Sequence, residues 1–116
     1  MISLHENGTV RMKGLKVEIL LALLVMEQVF DKYHLGTIIT AGTEIYDKNG
    51  KRIHMIGSLH DTGYAVDLRS KHIPDACWTT FLSDLRNALG VEYQVIIHDT
   101  HLHIELQPPI DRRFTA

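Results

Sequence analysis

The chain has 116 residues, 45% apolar and 22% charged, the balance of an ordinary water-soluble protein of single-domain size. Twelve Lys and Arg against fourteen Asp and Glu leave a formal charge of −2, which excludes a protein held to nucleic acid by a large basic surface. Cys77 is the one cysteine, so an intramolecular disulfide and a cysteine-rich metal site are excluded too, whereas eight histidines supply the commonest protein metal ligand.

Met1 to Glu6 has no basic leader running into an apolar stretch, so no secretory signal is expected and the chain reads as cytoplasmic when synthesised. The longest apolar run, Ile19 to Met26, is far short of the roughly 20 residues that span a bilayer, so no membrane partner is expected. No linker, repeat or low-complexity tract divides residues 1–116, which predicts one domain with 109–116 a loose tail after Pro108.

Residues 16–33 lack Gly and Pro and are rich in helix formers. They predict a helix with Leu20, Leu24, Val25 and Phe30 on the buried face, widened by Leu21 and Leu23, and with Gly36 as its stop. Thr37 to Thr40 is β-branched and predicts a strand, and residues 46–51 with Asn49-Gly50 predict a turn. A second strand is expected over Gly63 to Leu68. Pro74 opens a helix with Trp78, Phe81, Leu82, Leu85 and Leu89 inward, Cys77 in the core beside them and Gly90 at its end. Strands over Tyr93 to Ile97 and His101 to Leu106 flank a His98-Asp99-Thr100 turn. The order predicts an α+β fold, helices packed on a small antiparallel sheet.

Along the last strand His101, His103 and Glu105 share one face and Leu102, Ile104 and Leu106 the other. Alone, that polar row reads as solvated sheet surface, with Glu105 a solvated strand residue or a contact to a group behind the site. Gly63, Ala65 and Asp67 likewise share a face, and Gly63 allows a sharp turn that brings His60 towards Asp67. With His103 from a neighbouring strand, two imidazoles and a carboxylate suit a tetrahedral Zn²⁺ with one position left for water. His101, His103 and Glu105 as an iron-oxygenase triad is a poor alternative, since alternate strand positions lie about 7 Å apart.

Ser58, His60, Gly63, Ala65 and Asp67 reproduce an S-x-H-x-x-G-x-A-x-D pattern that resembles the zinc D-alanyl-D-alanine peptidases. That family includes carboxypeptidases, phage L-alanyl-D-glutamate endolysins and murein endopeptidases, and shares its fold with the hedgehog signalling domain. His101-Leu102-His103 resembles the H-x-H carrying the third ligand, and similarity to small phage-type members runs from about Leu20 to Pro108. The resemblance implies zinc on His60, Asp67 and His103, a peptidoglycan peptide as substrate, and a phage or virion assembly as a partner. It also implies a base that draws a proton from the zinc-bound water.

Many members carry an acidic base three residues before the third ligand or the preceding histidine. Here those positions are Thr100 and His98. His98 matches the H-x-x-H-x-H run of murein endopeptidases and Asp99 is the nearest carboxylate, so both are candidate bases. His101 is a candidate donor to the oxyanion or leaving amine, and the resemblance implies that Ser58 orients a ligand or the turn. Arg52 and Arg69 flank the motif and suit a substrate carboxylate. His5, His34, His54 and His72 read as surface residues. The departure at the base keeps a second reading open, a non-catalytic metal-binding structural or binding protein on the same scaffold.

Overall fold

Uninterrupted helix formers make α1 (Val17–Lys32). It is stopped before the expected glycine. His34 turns left-handed at φ 60°, and the N–H groups of His34 and Leu35 each return 3.0 Å to the carbonyls of Asp31 and Phe30. The face α1 buries also differs from the expected one. Ile19, Ala22, Leu23, Met26, Val29 and Phe30 are buried, whereas Leu20, Leu21 and Leu24 are 43%, 56% and 54% exposed. A segment apolar nearly all round carries no single stripe, so the layer beneath it selects the face.

The computed structural model describes residues 1–5, 10–44, 49–51 and 59–107. They form an α+β fold with β2 (Thr37–Ala41), β3 (Ala65–Arg69), α3 (Trp78–Leu89), β4 (Tyr93–Ile97) and β5 (His101–Leu106) in the expected places. Two further elements were not expected, β1 (Ile2–Leu4) and the single turn α2 (Leu59–Thr62). The sheet order is β1-β2-β3-β5-β4, antiparallel except for the β1–β2 pair. Pro74 leads through a 3₁₀ turn, Asp75–Cys77, into α3, and β5 then inserts between β3 and β4. Gly50 turns with φ 80°, while 46–48 of the expected turn and the 109–116 tail lie outside the described residues.

Alternation along β3 and β5 divides the molecule. Val66, Leu68, Leu102 and Ile104 are buried with Phe30, Phe81 and Leu85 of α1 and α3. The rings of Phe30 and Phe81 meet edge to face with centroids 4.8 Å apart. Cys77 and Trp78, expected in the core, are half-buried and pack against it instead. His72, expected at the surface, is half-buried: it stacks on Phe30 at 5.8 Å and donates to the Gly36 carbonyl at 2.7 Å. At the sheet edge, Arg86 donates to the Val95 carbonyl at 3.0 Å, filling an acceptor on β4. No helix among the described residues is long and apolar enough to cross a membrane. Ala65, Asp67 and Arg69, with His101, His103 and Glu105, occupy the face turned away from α1 and α3.

Candidate metal centre

Register across the β3–β5 ladder sets Asp67 opposite His103, Arg69 opposite His101 and Ala65 opposite Glu105. His60 reaches the same face by another route. Gly63 closes its turn at φ 84°, and a Cβ there would lie 2.1 Å from the Gly14 carbonyl oxygen. Its N–H returns to the His60 carbonyl at 3.2 Å, and its own carbonyl accepts the Lys16 N–H at 3.0 Å, at the foot of α1. This close turn brings α2 over the sheet and leaves His60 only 2% exposed.

β2 contributes through an irregularity. Its pairing passes from Ile39–Leu68 to Ala41–Asp67, so Thr40 is an extra residue that bends the strand. Just beyond, the Gly42 carbonyl accepts a hydrogen bond from His60 Nδ1 at 2.8 Å. Gly42 tolerates no side chain, because a Cβ would meet the Arg11 carbonyl oxygen at 2.1 Å. The buried Glu44 carboxylate accepts the N–H groups of Gly42 at 2.7 Å and of Arg11 at 2.9 Å, which holds the loop carrying that carbonyl. The sequence placed the end of the Thr37-to-Gly42 strand near the site but gave no role to the Gly42 carbonyl and no place to Glu44. A glycine and a glutamate after a strand are too common to signal one.

Three donor atoms converge. His60 Nε2 is 3.1 Å from Asp67 Oδ1, His103 Nδ1 is 2.8 Å from that oxygen, and the two nitrogens are 3.2 Å apart. The outer nitrogens are occupied, His60 Nδ1 on Gly42 and His103 Nε2 on Glu105 Oε1 at 3.1 Å. Protons on those outer nitrogens turn the lone pairs of neutral rings inward, at each other and at a carboxylate. Such a cluster is stable only around a cation, either a proton or a metal ion. Zinc with ligands at its usual lengths sets tetrahedral donor atoms roughly 3.3 Å apart, close to the observed spacing. The group can hold a metal ion.

The electrostatics follow from the same contacts. Burial works to raise the Asp67 pKa, but hydrogen bonds from His103 and His60 outweigh it and hold the carboxyl well below the usual carboxylate range. Burial likewise works to lower the His60 pKa, and the Asp67 carboxylate outweighs it, so His60 titrates above its ordinary 6.5. At His101 burial prevails over Asp67 and lowers the value.

His60, Asp67 and His103 thus come together as the spacing predicts. His101 stands beside them, its Nε2 3.6 Å from Asp67 Oδ2, its Nδ1 3.0 Å from Thr100 Oγ1 and its ring stacked on His98 at 4.6 Å. His98 is exposed, its ring 6.4 Å from that of His103. Asp99 is exposed in the hairpin turn, and Arg69 is half-buried beside the cluster; neither has an ion pair among the described residues. Ser58, Arg52 and His54 lie outside the described residues. Of the two expectations for Glu105, the contact holds and the solvated residue does not: its side chain is 12% exposed, held between His103 and the Gln107 amide, which donates at 3.0 Å. Its position two residues from His103 was the signal for that contact. No family model, no curated protein and no solved structure matches the chain.

Proposed function

We propose that the protein is a zinc peptidase that hydrolyses an amide in the peptidoglycan stem peptide or cross-link, of D-alanyl-D-alanine or L-alanyl-D-glutamate type. The observation that carries this reading is the convergence of His60 Nε2, Asp67 Oδ1 and His103 Nδ1 with both outer nitrogens occupied. The S-x-H-x-x-G-x-A-x-D resemblance supplies the substrate class. A bound zinc ion contributes Lewis acidity and a water of lowered pKa.

The chain's residues do the rest. Among the described residues His60, Asp67 and His103 account for three of four tetrahedral positions, the donor count of a catalytic site. His101, with Nε2 3.6 Å from Asp67 Oδ2 and a pKa lowered by burial, takes a proton at that nitrogen and returns it to the leaving amine, and His98 stacks on its ring and fixes its orientation. Arg69, on the same sheet face, pairs with a substrate carboxylate.

The test is mass spectrometry of fragments released from purified peptidoglycan by the zinc-loaded protein and by His103→Ala. Zinc-dependent fragments that vanish with the variant are expected, and their masses name the bond. A second reading, a metal-binding protein that does not cleave, is favoured by one observation. The carboxylates of the cluster are committed, Asp67 to imidazoles and Glu105 to His103 and Gln107. Bound zinc without fragments from any wall type decides for that second reading.

A further inference from the structure

We infer that Glu105 is a positioning residue, which fixes His103 so that Nδ1 and not Nε2 is the atom offered to a cation. The inference rests on reading His60, Asp67 and His103 as a metal site. An imidazole ligates through either nitrogen, and the hydrogen bond made by the other one decides which.

His103 is held from both ends of its ring. Nε2 lies 3.1 Å from Glu105 Oε1, and Nδ1 lies 2.8 Å from Asp67 Oδ1. Glu105 can do this because strand alternation returns it to the His103 face two residues along β5. Its other oxygen accepts from the Gln107 amide at 3.0 Å, so the carboxylate is itself held in place. Turning the His103 ring over would set carbon atoms against both carboxylates and lose both contacts. A carboxylate on Nε2–H makes a charge-assisted bond and raises the basicity of the nitrogen across the ring. His60 is oriented by the same logic with a neutral acceptor, the Gly42 carbonyl on Nδ1, and therefore presents the opposite nitrogen, Nε2.

The experiment compares the full chain with Glu105→Ala and Glu105→Gln. Zinc dissociation constants come from competition with a chromophoric chelator, the visible spectrum is recorded with Co²⁺ in place of zinc, and nitrogen NMR assigns the histidine tautomers. Glu105→Ala is expected to weaken zinc binding about 10- to 100-fold. It should also shift the cobalt spectrum and lose the slowly exchanging proton on His103 Nε2, with the circular dichroism of the metal-free protein unchanged. Glu105→Gln keeps an oxygen acceptor without the charge and should fall between; if the alanine variant does not fold, weaker binding by the glutamine variant carries the test.

Wild-type affinity in either folded variant overturns the inference, as does NMR evidence that Nε2 of His103 ligates. A wild-type protein that binds no zinc removes the metal site and this inference together. One that binds zinc in the expected way but cleaves no peptidoglycan removes the peptidase reading alone.

Discussion

His103 Nδ1 lies 2.8 Å from Asp67 Oδ1 across the β3–β5 ladder, and the same oxygen lies 3.1 Å from His60 Nε2 on α2. One carboxylate oxygen therefore joins imidazoles from two separate elements, and in metal-free protein the joint depends on protons. His60 titrates above 6.5 because Asp67 outweighs burial, so its stabilising share is complete below pH 6.5 and is lost as pH rises through the raised value. Asp67 titrates below 3.8 because its hydrogen bonds outweigh burial, so its share is present above pH 3.8 and is lost as pH falls through the lowered value. Chelator-treated protein should be most stable between these limits. Melting curves across the pH range check this, and Asp67→Asn should flatten both flanks.

Zinc should displace the proton that His60 holds, so binding releases protons and tightens with rising pH. Calorimetry in two buffers of different ionisation heat measures the release. At a free zinc concentration of about 100 times the dissociation constant, the fold should gain about 2.7 kcal/mol. Asp67→Ala should abolish that gain, and an undiminished rise in melting temperature in this variant would place the metal elsewhere.

The two faces of α1 should respond unequally to one substitution. Leu23 is 3% exposed in the core, and Leu24 is 54% exposed beside it in sequence. Leu23→Ala should cost about 2–5 kcal/mol, from lost burial and the cavity left behind. Leu24→Ala should change stability by about 0.5 kcal/mol or less. Urea denaturation of the two variants decides, and a larger cost at Leu24 than at Leu23 would mean that α1 lies on its other face.

Two left-handed positions carry opposite expectations. His34 occupies φ 60° at the exposed end of α1, where its Cβ is unfavourable, so His34→Gly should stabilise the fold by about 1 kcal/mol. Gly63 at φ 84° lies against Gly14, so Gly63→Ala should cost at least about 2 kcal/mol. Because that turn carries His60, the alanine variant should also bind zinc more weakly. Thermal unfolding with and without zinc reads both effects.

Much of the site was legible because its signals are local. Period-two alternation told which residues of β5 face Leu102 and which face His103, and the spacing from His60 to Asp67 marked a turn followed by a strand. The rest depended on contacts between distant segments. β1 and α2 span three and four residues, too short for any period to register, and they are held by pairing to β2 and by the turn at Gly63. Glu105 was assigned to the correct face, but alternation cannot tell a side chain in water from one held against an imidazole.

By itself, then, the sequence determined the α+β class and the strands of the site, because residue type and short-range spacing suffice for each, and it singled out His60, Asp67 and His103 as candidate ligands. Tertiary structure alone decided which side of α1 is buried, which nitrogen of each histidine points inward, and how Gly42, Glu44 and Glu105 hold the site. Those choices are made by atoms brought together from far along the chain, such as Gly42 and His60, or His60 and His103. No periodicity in the sequence records such a meeting.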